Sequence, residues 1–433
     1  GKITGAAGTE ERWAARGSYN RFDDKQQLSF IGFANNINET GVNWEDYGEF
    51  KGQNTFNDND NGDFGFGGNN RGFYIMGGGD SPLNNFDGRG FTKNFGGGTN
   101  YNFSNKKSKF NFSYFYNQTD LDLDQYSFRQ TFLSDEIFNN TDTTIKAEFR
   151  GNHTLSTRLE QEIDSSDLFI IKANLRLGNS DAVNRQAQLF TTGTGVPVND
   201  LHIDNDNQLN SWRLTSSAIY RHRFKKQSRS IAVSAGFNDG RSDGTENLFS
   251  INRFFNATTL TEQIRQLNQN DNETRQIKSS LLFTESLYKR WFWESFYNFS
   301  QTRNDVNRQV LDPEVNNERI DDLSVFYNFD VTYQRLGSSI RYSHQGLNIS
   351  VGAAAQQIRM DGRYSIDRNM PPLTDPIRRR FNNVVPMADL TWQLPNNLRL
   401  NFGYNYGVTE PQLTDLQPIP NVNNPAFKTE GNP

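Results

Sequence analysis

Residues 383–407 read NVVPMADLTWQLPNNLRLNFGYNYG, and this stretch decides the fold. Its second half alternates without a break. Leu398, Leu400, Phe402, Tyr404 and Tyr406 take one face; Arg399, Asn401, Gly403, Asn405 and Gly407 take the other. A period of two is a strand with one apolar and one polar wall. The first half ends in Leu390, Thr391, Trp392, Gln393 and Leu394. Between the halves, Pro395-Asn396-Asn397 makes a tight turn, in which Pro presets φ and Asn tolerates the left-handed region. Aromatics gather toward the strand ends, as in the girdles of transmembrane barrels. The stretch reads as one membrane hairpin.

The same pattern recurs along the chain. Trp13, Ala15, Gly17 and Tyr19 alternate with Ala14, Arg16, Ser18 and Asn20 before a turn at Asp23-Asp24-Lys25. Further turns fall at Asn105-Lys106-Lys107, Asp164-Ser165-Ser166-Asp167, Lys225-Lys226-Gln227, Lys289-Arg290 and Gln345-Gly346, each flanked by alternating arms. Val233, Ala235, Ile349 and Val351 are expected to face outward with Phe402 and Tyr404, and Ser234, Asn348, Arg399 and Asn401 inward. The connections at the opposite end read as loops over residues 37–88, 182–208, 255–272, 305–318 and 359–382. Residues 120–144 read either as a surface hairpin or as a strand extension. Short turns on one rim and long loops on the other are the asymmetry of an outer-membrane barrel. The expected fold is all-β: a transmembrane antiparallel up-and-down β-barrel, about fifteen strands of it visible, with periplasmic short turns and extracellular long loops.

Composition bounds the reading. The chain has 433 residues, 34% hydrophobic and 13% aromatic, and a mean hydropathy of −0.79. No window approaches the roughly 18 apolar residues of a membrane helix. Low hydropathy suits a disordered chain, but disordered chains are poor in aromatics. A barrel reconciles the two, because only alternate residues face lipid. A net charge of −5 argues against a nucleic-acid partner. The absence of cysteine excludes disulfides and thiolate metal sites.

Reactive chemistry is not written in the chain. His153, His202, His222 and His344 are scattered, without metal-ligand spacing. Gly96-Gly97-Gly98 lacks the Lys-Ser/Thr of a phosphate loop. No Ser/His/Asp constellation emerges, so neither catalysis nor a cofactor is expected. Three surface features stand as candidates. Asp58, Asp60 and Asp63 could offer oxygen ligands to Ca²⁺, but they lack a bidentate Glu at the right offset, which favours a solvated acidic loop. Arg378-Arg379-Arg380 reads either as a site for lipopolysaccharide phosphates or as a solvated strand extension. Phe56, Phe64, Phe66, Phe73, Tyr74 and Phe86 make the first loop unusually aromatic, which marks either an interface or a loop packed on itself.

Four stretches carry a family resemblance. They are GKITGAAGTEERWAARGSYNRF with Asn35-Asn36-Ile37-Asn38; Asn152-His153-Thr154-Leu155 running into Leu159 and Ile163-Asp164-Ser165; Val385-Pro386; and Pro411, Leu416-Gln417-Pro418 and Gly431-Asn432-Pro433. On these the chain resembles the barrel of TonB-dependent outer-membrane receptors, in the branch known as an outer-membrane beta-barrel family. The resemblance implies a 22-stranded barrel in the outer membrane of a Gram-negative bacterium, with an N-terminal plug that couples to TonB. The sequence departs from that pattern in having no plug, no TonB box and Glu410 where Arg commonly stands. It also begins at Gly1 without a signal peptide and stops after Gly-Asn-Pro, so residues 1–433 are expected to be one partial barrel domain of an exported chain. Two roles remain open: ligand uptake, or a docking barrel in an assembly. The expected partners are outer-membrane lipid and lipopolysaccharide, a surface lipoprotein or other outer-membrane subunits, and TonB only through a plug.

Overall fold

The computed structural model describes residues 1–39, 65–66, 73–74, 89–133, 136–255, 259–372, 376–395 and 398–406. Strands β1 (Lys2–Ala7), β2 (Trp13–Phe22) and β3 (Gln26–Asn35) open the order. The two-residue β4 (Gly65–Phe66) and β5 (Phe73–Tyr74) form a separate pair. Then come β6 (Phe91–Ser104), β7 (Ser108–Phe132), β8 (Ile137–Glu162), β9 (Asp167–Thr192) and β10 (Pro197–Arg223). These lead into β11 (Ser230–Phe255), β12 (Thr259–Tyr288) and β13 (Trp291–Asp312). A 3-10 turn (Pro313–Val315) and β14 (Glu318–Arg319) precede β15 (Val325–His344), β16 (Leu347–Ser365), β17 (Ile377–Gln393) and β18 (Arg399–Asn405). The long strands pair antiparallel, each with the next, from β1 to β18 in one 16-stranded up-and-down sheet that also holds β14 against β13.

Asn396 and Asn397 of the last expected turn lie outside the described residues; the other short turns lie where the sequence puts them, and local hydrogen bonds explain why. Asn105 Oδ1 accepts from the Lys107 and Ser108 amides at 2.8 and 2.6 Å. Asp164 Oδ1 does the same for Ser166 and Asp167, at 2.7 and 3.0 Å. Such side chains reproduce a backbone turn and fix the register that follows. Gln345 and Gly346 both take positive φ, 47° and 80°, which is the two-residue hairpin that matches strand twist.

The opposite rim differs from expectation. Most of residues 182–208, 255–272, 305–318 and 359–382 is ladder rather than loop. β9 runs on to Thr192 and β10 starts at Pro197; β12 resumes at Thr259, β13 continues to Asp312, and β16 reaches Ser365. Residues 120–144 are likewise strand extension, paired from Asp120↔Phe149 out to Phe132↔Ile137. The physical reason is that these segments carry polar residues on both faces, so the apolar alternation fades while the backbone ladder persists. Strand β12 has 30 residues, whereas a tilted strand crosses a bilayer in about 9–11. The sheet extends well past any membrane.

The end of the membrane-crossing part is marked by a change of polarity. Near the short turns, Leu336, Ile340 and Val351 stand exposed on the outer face while Arg335, Ser339 and Ser350 are buried on the inner face. Cross-strand pairing keeps like with like: Leu336 faces Ala355, and Ile340 faces Val351. About nine residues from the turn, close to the length of one crossing, the pattern inverts. Above it, Asn328, Asp330, Arg359 and Asp361 take the outer face, and Tyr327, Phe329, Val331, Ile358, Met360 and Tyr364 pack inside as a hydrophobic cluster. The Tyr327 and Tyr364 rings stack at 4.2 Å, and burial pushes the Tyr327 hydroxyl up to about 12. Residues 313–324 return along β13, with Leu311 opposite Arg319 and Asp312 opposite Glu318. Ser324 Oγ donates to the Ile320 carbonyl at 2.8 Å, and Arg319 bridges Asp321 at 2.7 Å and Asp367 at 3.1 Å.

Faces follow the expected register on the described strands: Val233 and Ala235 are exposed and Ser234 is buried between them. Phe402 and Tyr404 pair with Leu390 and Ala388, on the same side as Ile349 and Val351. Replacing Ile340 by Arg in mid-band is expected to cost roughly 2–4 kcal/mol, whereas Thr332→Arg, beyond the inversion, should stay within about 0.5 kcal/mol. Urea unfolding in lipid vesicles measures both. Equal costs would mean that the band does not end near Leu336.

Candidate functional site

The sequence-derived candidates separate in space. Phe56, Asp58, Asp60, Asp63, Phe64 and Phe86 lie outside the described residues. Phe66 and Phe73 are cross-strand partners in the β4–β5 pair, with Tyr74 opposite Gly65. The arginine run lies within β17, and alternation divides it between the two walls. Arg379 shares the inner face with Ile377 and Val385, whereas Arg378 and Arg380 take the outer face. Arg378 lies opposite Asp361, 3.9 Å away, and Asp361 also holds Arg359 at 2.7 Å.

Those two arginines belong to a wider outer pattern. Register places Asp239, Arg275, Arg303, Asp330, Asp361 and Arg378 in one lateral row across β11, β12, β13, β15, β16 and β17. Neighbouring outer pairs include Arg241–Asp271 at 2.8 Å and Arg275–Asp239 at 3.6 Å. The outer face of the extensions is therefore ionic and largely matched in sign. Such exposed pairs contribute at most about 1 kcal/mol each, and they make this face wettable rather than lipid-facing.

The inner wall is polar and hydrogen-bonded across strands. Ser280 donates to Asn298 Oδ1 at 2.7 Å, Thr215 to Asn238 Oδ1 at 3.1 Å, and Gln276 to Thr302 Oγ1 at 2.8 Å. A cavity of about 440 Å³ opens on it between β7 and β12. Arg150, Arg176 and Arg213 reach it from three consecutive strands, among Asn117, Asn152, Ser211 and Asn238. Arg176 and Arg213 are directly opposite each other in the ladder. Arg150 is instead held by Glu148, which also takes Lys146 at 2.7 Å. The cavity can receive a polar solute of modest size, with guanidinium donors on one side and amides and hydroxyls around them.

Sequence reading missed this cavity, although a signal for it exists. Arg176 stands between Leu175 and Leu177, and Arg213 between Trp212 and Leu214. A charge flanked on both sides by apolar residues in a strand faces the polar wall. That the three arginines converge needs the register of β8, β9 and β10, which one sequence does not supply.

A single up-and-down antiparallel sheet, apolar outside for one bilayer crossing and polar inside, is the wall of a transmembrane β-barrel protein. Residues 222–433 match the sequence model of the Outer membrane protein beta-barrel family, and the protein resides in the outer membrane of a Gram-negative bacterium, its apolar band against lipid. Among solved structures, the crystal structure of the siderophore receptor PiuA from Acinetobacter baumannii is similar over 93% of this chain and 71% of that one, at 9% sequence identity and a TM-score of 0.37. No curated protein matches the chain.

Glu148 tests how the inner charges are balanced. Glu148→Ala leaves Lys146 and Arg150 close together without their shared carboxylate. Removing one partner of a buried pair costs about 3–5 kcal/mol; with both cations partly solvated, about 1–2 kcal/mol is expected here. Unfolding midpoints at low and high salt check this, and salt should recover part of the loss by screening the two cations. A variant as stable as the parent at low salt would show that the carboxylate does not hold the ladder together.

Proposed function

We propose that this protein is the barrel wall of a receptor that takes up a ligand across the outer membrane. The observation that supports this most is the roomy polar cavity on the inner wall, well above the short turns. A barrel serving only as a rigid platform has no need to keep such a space. Residues 1–433 act in this reading as one barrel domain, coupled to an energy source through a plug segment. First contact with the ligand is made by the aromatic first loop, where Phe56, Phe64, Phe66, Phe73 and Tyr74 stand beside Asn, Asp and Gly. Amphipathic and aromatic side chains among small polar residues give contact area at small entropic cost. Lipopolysaccharide phosphates meet Arg378 and Arg380 on the outer face, where arginine suits bidentate capture.

The second reading is a docking barrel that holds a surface lipoprotein or other subunit without transport. What favours it is the length of the extensions, which raise a broad ionic surface far beyond the bilayer. A plug with a TonB box in the full reading frame would favour uptake; its absence there would favour the platform.

Deleting residues 52–79 is expected to leave a heat-modifiable barrel in the membrane, because loops tolerate deletion better than ladders. Ligand uptake by cells, or co-purification of a bound partner, should fall to background. Uptake and co-purification both persisting at parental levels would remove the loop from the site.

A further inference from the structure

We infer that the adjoining β10–β11 and β12–β13 turns form a binding site for the phosphodiester headgroup of an anionic glycerophospholipid, in the leaflet that meets this rim. The site is independent of what the barrel takes up. Strand β11 pairs with β12, so residues 224–229 and 289–290 are neighbouring turns. Lys225, Lys226, Arg229, Lys289 and Arg290 stand here against one outer-face carboxylate, Glu285. Lys226 and Arg229 both bond it, Arg229 at 2.6 Å. Glu285 lies on β12 shortly before Lys289, so this clamp from the first turn holds the two basic turns side by side.

Three observations point to a lipid as the occupant. The first is the layering of the outer face. Val233, Leu281 and Leu336 lie in one lateral row and stand exposed in the apolar band. Nearer the rim Trp293 and Trp291 are exposed, the Trp291 ring 5.0 Å from that of Tyr342. Beyond them come Lys289 and Arg290, exposed in the turn. Apolar, aromatic, cationic is the order in which acyl chains, interface and phosphates follow one another in a leaflet.

The second is the company the cations keep. Leu287, Tyr288, Lys289, Arg290 and Trp291 are consecutive and all exposed. In the other turn the Arg229 guanidinium lies 6.0 Å from the centre of the exposed Phe224 ring. Amphipathic rings settle at headgroup level, while long cationic stems carry their charge to the phosphates. Arginine offers those phosphates a planar fork and lysine a point charge. The third is confinement. The turn on one side carries Asp164 and Asp167, and Gln345-Gly346 on the other is uncharged. The positive charge is thus gathered on two turns, and basic clusters beside a membrane hold anionic lipids at short range.

Native mass spectrometry of the purified full chain in detergent tests this, with phosphatidylglycerol and zwitterionic phosphatidylcholine added in equal amounts. The parent should retain phosphatidylglycerol preferentially. K225Q/K289Q/R290Q, which leaves the Glu285 clamp intact, should lower that preference at least about ten-fold. R275Q/R303Q/R359Q removes the same charge from the outer face of the extensions and should keep the preference. If the first triple variant gives no heat-modifiable barrel, a salt series on the parent takes its place, because screening should erase the preference. Equal retention of the two lipids by the parent, or a preference indifferent to salt, overturns the inference. So does a preference that survives K225Q/K289Q/R290Q, or one that falls equally in both triple variants. Inorganic phosphate that displaces the lipid at constant ionic strength would assign the turns to a soluble anion and overturn it too.

Discussion

Every amide that enters hydrocarbon must already have its hydrogen bond, because nothing in lipid will supply one. In this chain that requirement is met by neighbouring strands, whose ladders run for as many as 26 successive pairs, as between β11 and β12. Everything else follows from the strand as unit. Its period of two gives two walls, so a chain with a mean hydropathy of −0.79 can still present a continuous apolar coat to a bilayer. The polar residues that lower the average sit inside, with Ser234, Ser280 and Asn298 almost wholly buried and Ser280 donating to Asn298 Oδ1 across the ladder.

The ladder does not stop where the membrane does. Beyond Leu336 and Ala355 both faces of the hairpin meet water, and the logic of the walls reverses. Apolar side chains now gain by turning inward onto one another, so Tyr327, Phe329, Ile358, Met360 and Tyr364 build a small core on the inner face. Arginine and aspartate take the outside. Residues 313–324 are tied to β13 by Ser324, which bonds Val310, and to the β16–β17 connection by Arg319. The protruding hairpins are thereby stiffened by the hydrophobic effect rather than by lipid, and a rigid rim is a better mount for a binding loop than a floppy one.

How much of this was legible depends on which wall a residue serves. The turns at Asn105, Asp164 and Gln345-Gly346 were readable because their chemistry is local. The strands nearest the turns were readable because lipid on one side enforces alternation, as in Leu398 to Tyr406. The extensions were not: residues 182–192, 197–208 and 259–272 carry polar side chains on both faces, so they resemble loops even though their backbone lies in the ladder. The inner cavity was hidden for a different reason. Arg150, Arg176 and Arg213 are far apart in sequence, and only cross-strand register brings them together. The arginine run 378–380 misleads in the opposite sense, since adjacency in sequence places its members on alternate walls.

Arginine therefore has no single meaning here, and the difference is electrostatic context. Outside, Arg241 or Arg359 sits in water beside an aspartate, where high dielectric and salt reduce the pair to a modest contribution and the net field is near zero. Inside, Arg176 and Arg213 face each other in a recess bounded by protein, where the effective dielectric is lower and like charges are felt more strongly. The outer arrangement keeps a tall β-surface soluble and blunts edge-to-edge pairing. The inner one lines an open space with guanidinium, amide and hydroxyl groups. What separates the two groups is register alone: the alternation that turns Arg241 outward to water turns Arg176 and Arg213 inward, though all three belong to neighbouring strands.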